Sequence, residues 1–244
     1  NVLMVQMKHD LATEEYEEAI KKNTKDFNLA MAYADNLYTQ QVFEKSYTMY
    51  ENALKLKPES ADAAIGSANC LQKMGKSDEA SKLLEKLAAK DLKNDRASLA
   101  LAGLYRDQKN YDKAIELYKK VIDRSPKNTQ ALMPLAGIYE EQKNYDAAID
   151  IYRKLSVIDT KNPAYPMNII NLLSNSGKLD AAIEEVRKLI AANPRDTNYK
   201  AMLADMLTKK EDFDGAISEY AEIAKAESPD VKAFAHSKAG ELRI

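Results

Sequence analysis

Tryptophan is absent from this chain of 244 residues, histidine occurs twice and cysteine once. Cys70 has no second cysteine to pair with, so a disulfide-framed scaffold is excluded. His9 and His236 lie near opposite ends of the chain, which leaves little for metal ligation or acid–base catalysis. No catalytic residue, metal site or cofactor is expected. Glycine and proline number only seven each, and no stretch alternates apolar and polar residues for long. Both absences disfavour strands. No apolar run approaches the roughly 18 residues that a membrane-spanning helix requires, so no membrane insertion is expected. Neither sign of charge dominates: 36 basic residues face 38 acidic ones, for a net charge of -2. A nucleic-acid partner is therefore not expected, because such binding rests on basic surface. What remains is a composition 45% apolar and 30% charged, that of an ordinary folded chain. The chain opens at Asn1 without an initiator Met and stops at Ile244 inside a helical pattern. The natural protein is expected to be longer, and the compartment cannot be read from this stretch.

Self-similarity is the dominant positive signal. Pro58, Pro126 and Pro194 follow one another at intervals of 68, twice 34. Residues 101–115 and 135–149 nearly duplicate each other at a single interval of 34. Divided at this period, the chain yields six units: 27–60, 61–94, 95–128, 129–162, 163–196 and 197–230. The eighth place reads Ala34, Ala68, Ala102, Ala136, Ile170 and Ala204, and the twentieth Ser46, Ala80, Ala114, Ala148, Ala182 and Ala216. Small residues at two fixed places let two helices approach closely, while larger neighbours fill the flanking grooves. Among those neighbours are Leu or Tyr at the eleventh place and Tyr, Leu or Val at the twenty-fourth.

Helix boundaries repeat as well. Each unit ends in a preferred N-cap residue: Ser60, Asn94, Asn128, Asn162, Asp196 and Asp230. The eighteenth place is always acidic, from Glu44 to Asp214, which suits the first turn of a second helix. Gly75, Asn110, Asn144 and Gly177 stand at or beside the intervening turn and tolerate a left-handed backbone. Each unit is predicted to be helix–turn–helix.

A 34-residue helix pair with this pattern of small and large residues, and Pro at the thirty-second place, resembles the tetratricopeptide repeat. The resemblance runs through residues 27–230 and implies an all-α fold, a right-handed α-α superhelical solenoid. Departures exist at the fourth place, which carries no Trp, at Ile170, at Leu92 and at Thr160. Residues 1–26 are expected to form a degenerate helical hairpin acting as an N-terminal cap. Residues 231–244 are expected to be a half-repeat or capping helix. Pro134 falls inside a first helix, where it removes a donor and crowds the carbonyl of Gln130. Either that helix starts late or it kinks. Pro166 lies early enough in its helix to be tolerated. Tyr111, Tyr145 and Phe213, at the seventeenth place, are expected in the core, as is Cys70.

The resemblance also implies a concave groove lined by the first helices, holding an extended or helical segment of another protein. Its floor is expected to include the fifth place: Met31, Ile65, Leu99, Met133 and Met167, then Met202 beside Ala201. Methionine is flexible and polarizable and suits apolar partners. The alternative for these residues is packing against the neighbouring helix pair. Polar candidates are Asn69, Asn168 and Asn171, whose amides can bond a peptide backbone. The charged candidates among the groove residues are Asp35, Lys73, Arg106, Glu140 and Asp205. Lys at the fifth place, which a carboxylate-gripping subclass of the family uses, is missing from every unit. Six acids (Asp35, Asp62, Asp107, Glu140, Glu141, Asp205) face five bases (Lys73, Arg96, Arg106, Lys209, Arg243) along this stripe, so no charge preference is expected. The expected function is a non-catalytic protein-interaction scaffold for a protein or peptide partner. The alternatives are the recognition array of a larger enzyme or of a secretion or assembly complex, and self-association through terminal helices. Helical-repeat RNA binding is opposed by the 34-residue period and the lack of a basic stripe.

Overall fold

A computed structural model describes residues 2–90, 95–225 and 229–242. Asn94, Leu92 and Arg243 lie outside the described residues. Fourteen helices and no strands are found among the described residues: α1 (Val2–Lys22), α2 (Phe27–Thr39), α3 (Phe43–Leu56), α4 (Ala61–Lys73), α5 (Ser77–Lys90), α6 (Asp95–Asp107), α7 (Tyr111–Arg124), α8 (Thr129–Glu141), α9 (Tyr145–Ile158), α10 (Ala164–Asn175), α11 (Leu179–Ala192), α12 (Thr197–Lys209), α13 (Phe213–Ile223) and α14 (Pro229–Glu241). The second helices start at Phe43, Ser77, Tyr111, Tyr145, Leu179 and Phe213, one every 34 residues. The chain divides into two compact units, 1–138 and 139–244.

The turn within each helix pair explains this constancy. Among the described residues, six have positive φ: Gln41, Gly75, Lys109, Lys143, Gly177 and Glu211. All six occupy the fifteenth place. Around Lys109 the amide of Asn110 donates to the Tyr105 carbonyl (2.8 Å) and that of Lys109 to Arg106 (2.9 Å). This pair of bonds is the Schellman motif, which satisfies carbonyls left free at a helix end. The same two bonds recur in every pair, as at Lys76 to Leu71 and Asp212 to Leu207. Asn110 and Asn144, expected at or beside the turn, stand beside it. The left-handed residue is the lysine before each, and the asparagine precedes the first turn of the second helix. Glu44, Asp78, Asp112, Asp146, Asp180 and Asp214 all lie in those first turns, where the helix dipole favours an anion.

Between pairs, Ser60 and Asp196 cap through their side chains, accepting from the amides of Ala63 (3.2 Å) and Asn198 (2.9 Å). Asp26 does the same for Leu29 at 3.1 Å. The last helix starts earlier than the period predicts: α14 begins at Pro229, an acceptable first helical residue, which places position 230 inside it. Asn162 accepts from Ala164 (3.0 Å), one step beyond the period, with Pro163 preceding the helix.

Small residues sit where helices meet. The eighth-place and twentieth-place residues are buried in all six pairs. The lone serine at the twentieth place, Ser46, donates to the Ala34 carbonyl at 2.8 Å, and the Cys70 thiol donates to Ser46 at 3.2 Å. Burying that hydroxyl is tolerated because both its donor and its acceptor are used. In unit 1–138, α2, α4 and α6 pack successively against one another as well as against their partner helices. In unit 139–244, α9 to α14 pack in chain order.

Three expectations need correction. Residues 2–22 form one helix, not a hairpin, since no Gly, Pro or Asn interrupts Val2–Lys22. Tyr111 and Tyr145 are half-buried and Phe213 is 45% exposed, because the first residue of a second helix lies at the end of the pair and not between helices. α8 starts on time at Thr129 with Pro134 inside it, so the late start is excluded.

Candidate functional site

In unit 1–138, the first helices α2 and α4 border an open hollow of about 660 Å³. Met31 and Asp35 come from α2, one turn apart, and Ile65 and Asn69 come from α4 at the same spacing. Four of the predicted residues thus meet because i and i+4 share a helix face. Met31 and Ile65 are half-buried: each packs on a core cluster with one side and lines the hollow with the other. Each fifth-place residue here thus packs against its neighbours and also faces open space.

Tyr50 of α3 closes the floor. Its ring lies against Gly66, where an added Cβ would stand 2.4 Å from the ring carbon Cε1. Its hydroxyl donates to Asp35 Oδ1 at 2.5 Å. Burial first, then the hydrogen bond and charge of Asp35, push the Tyr50 phenol far above its ordinary value. Phe27 forms a wall, with the Lys57 ammonium 4.2 Å from the ring centroid. Glu59 and Asp62 stand at the rim, and Asp62 pairs with Arg96.

In unit 139–244, α10 and α12 border a second hollow of about 560 Å³. It gathers three predicted residues: Asn171, Met202 and Asp205. Ser174, Asn175, Asn198, Ala201, Met206 and Lys209 complete it. Its polar lining is mainly neutral amide. Tyr220 donates to Asp205 at 2.6 Å, repeating the geometry of Tyr50 and Asp35 at the same two places of the period. Burial, then Asp205, raises the Tyr220 phenol strongly. Both hollows fall within the roughly 300–1,000 Å³ of ligand-sized clefts.

The remaining candidates stand outside both hollows. Lys73 is exposed in the last turn of α4. Arg106 bonds its neighbour Asp107 at 2.8 Å. Leu99 is half-buried, and Met133 is 43% exposed. Glu140 accepts from Tyr152 at 2.6 Å, and Asn168 is half-buried. Met167 is half-buried.

Sequence reasoning missed Tyr50, Tyr152 and Tyr220, which a periodicity assigns to the core. Their rings are buried, yet their hydroxyls reach carboxylates on the first helices. It also passed over Asn175, four residues beyond Asn171, and Asn198. Their signal was present in the helical spacing. Among the described residues no group of three or more His, Cys, Asp or Glu could hold a metal ion, and no helix is long and apolar enough to cross a membrane.

Two family profiles, each described as tetratricopeptide repeat, match the chain: one over residues 105–167 and 141–206, the other over 71–129. The chain belongs to the tetratricopeptide-repeat family. No curated relative matches it. Among solved structures, it resembles a tetratricopeptide repeat protein from Parabacteroides merdae at 15% identity, with a TM-score of 0.58, over 99% of this chain and 94% of that one. YrrB, a tetratricopeptide-repeat protein with an unusual peptide-binding site, shares 19% identity over 82% of this chain and 99% of its own, with a TM-score of 0.54. PilW, a type IV pilus biogenesis factor, shares 20% identity over 78% and 89%, with a TM-score of 0.59. These likenesses establish the all-α helix-pair fold. The family is in general one of protein-interaction scaffolds without catalysis of their own.

Proposed function

We propose that this chain is a non-catalytic scaffold that holds a peptide or helical segment of a partner protein on the first-helix faces of its units. The observation that carries this reading is the convergence of predicted side chains from two successive first helices on one open hollow: Met31, Asp35, Ile65 and Asn69. A half-buried apolar floor with a polar rim is the arrangement that recognises amphipathic segments. The amide-lined hollow of the other unit supports the same reading. Asn171, Asn175 and Asn198 each offer a donor and an acceptor, which match a peptide backbone. The peptide-binding site named for YrrB adds support from a protein of the same fold.

The test is selection of peptides from a random library on the purified chain, followed by titration against variants. Ile65→Glu, or Asn171→Ala combined with Asn198→Ala, should weaken a selected peptide about tenfold or more. If both folded variants keep the parental affinity, the segment docks elsewhere.

A further inference from the structure

The hollow of unit 1–138 combines an apolar floor with an imbalance of charge. Among the described residues, Asp35, Glu59 and Asp62 line it against a single base, Lys57. Arg96 neutralises Asp62 from outside. Two carboxylates are then left facing one ammonium. Asp35 is held in place: Tyr50 donates to its Oδ1, and the side chain is exposed. Its other oxygen, Oδ2, has lone pairs for a donor brought by a partner. The carboxylate stands one helical turn from Met31 and shares the hollow with Ile65, so a cation there would have apolar surface beside it. Phe27 already carries an ammonium on its face, which shows that this wall accepts cations.

Gly66 makes the arrangement possible. A side chain at that place would occupy the space of the Tyr50 ring, and the ring is what carries the hydroxyl to Asp35. In unit 139–244 the equivalent carboxylate, Asp205, bonded by Tyr220, lines a hollow that also contains Lys209, so acid and base balance there.

We propose that the hollow between α2 and α4 binds a basic amphipathic segment of a partner protein, with an apolar side chain on Met31 and Ile65 and a Lys or Arg side chain paired with Asp35. The proposal rests on the scaffold reading and specifies the partner's charge. Tyr50 is a positioning residue, acting through Asp35.

The experiment titrates the whole chain by fluorescence anisotropy with three labelled amphipathic peptides of about 15 residues, long enough for a helix. They share one Leu-rich face and carry Lys, Gln or Glu on the other. The Lys peptide should bind about fivefold to tenfold tighter than the Gln peptide at low salt, with the Glu peptide weakest. Raising the salt should shrink that preference. Asp35→Asn keeps an acceptor for Tyr50 but removes the charge, and should bring the Lys and Gln affinities together. Tyr50→Phe should reduce the preference in part, while Asp180→Asn, at an exposed carboxylate outside both hollows, should leave it unchanged. Equal binding of the Lys and Gln peptides by the unaltered chain would overturn the charge assignment and leave the scaffold reading standing. A Lys preference that survives Asp35→Asn would overturn the assignment of this hollow. Binding of none of the three would remove the proposal and count against the scaffold reading as well.

Discussion

The two hollows use one helix-pair frame for different surfaces. Between α2 and α4 the lining is Phe27, Met31, Tyr50 and Ile65, rimmed by carboxylates. Between α10 and α12 it is Asn171, Ser174, Asn175 and Asn198, with Met202 and Met206. Both have a tyrosine from the second helix donating to an aspartate on the first. The frame therefore depends on the eighth, eleventh, fifteenth and twentieth places, while the second, fifth, ninth and thirteenth are free to set the chemistry of each surface. A residue that packs in every pair cannot vary without strain, but one that faces an open hollow can.

The sharpest way to break the comparison is at the glycines. Gly66→Ala should destabilise the chain by about 1–3 kcal/mol in urea unfolding, because its Cβ meets a packed ring. Gly103→Ala should instead be neutral or stabilising by up to about 1 kcal/mol, since the nearest atom, the Tyr118 hydroxyl, stands 3.9 Å away. Equal effects at the two sites would mean that Tyr50 does not lie against α4. Next come the paired hydroxyls. Tyr50→Phe and Tyr220→Phe should each cost about 1 kcal/mol, below the usual value for a charged acceptor because both aspartates are exposed. A loss at only one of them would show that the two hollows share geometry without sharing energetics.

Alkaline pH probes unit 1–138 through two other phenols. Burial, then Glu17 for Tyr33 and Glu85 for Tyr105, raises each from the ordinary 10 to about 12. The folded state holds these protons more tightly than the unfolded chain does. Their contribution is complete below pH 10 and declines as pH rises toward 12. Thermal melts across that range should fall, and Tyr33→Phe or Tyr105→Phe should flatten the slope. An unchanged slope in both variants would exclude these groups as the source.

Smaller effects come from the turns and the surface. Lys109→Gly should stabilise by roughly 0.5–1 kcal/mol and Gly177→Ala should destabilise by about as much, since both places are left-handed. Chemical denaturation of the two variants measures both, and a loss on Lys109→Gly would contradict the common turn. Lys178→Ala, which removes an exposed pair 2.5 Å from Asp146, should shift stability by less than about 0.5 kcal/mol. A larger loss would mean that these interhelical pairs stabilise unit 139–244 in a way that has no counterpart at a hollow.

Much of the fold was legible in the primary structure, for a local reason. Capping, left-handed turns and small-residue contacts are set by neighbours within one period, so a repeat of 34 places them all. The candidate residues of the fifth and ninth places were legible for the same reason, as helix faces. What misled was averaging. Charges tallied along the whole stripe nearly cancel, yet the hollow at Asp35 has an excess of acid. The N-terminal hairpin was also expected wrongly, because no Gly, Pro or Asn interrupts Val2–Lys22.

The chain's own order of residues determined the helices, their lengths and the faces they bury, because each rests on interactions a few positions apart. Only the tertiary structure decided that the Tyr50 hydroxyl emerges beside Asp35, that Gly66 leaves room for the ring, and that four side chains converge on one hollow. Those outcomes depend on how far a buried side chain reaches between two helices. That distance is fixed by packing and has no period to announce it.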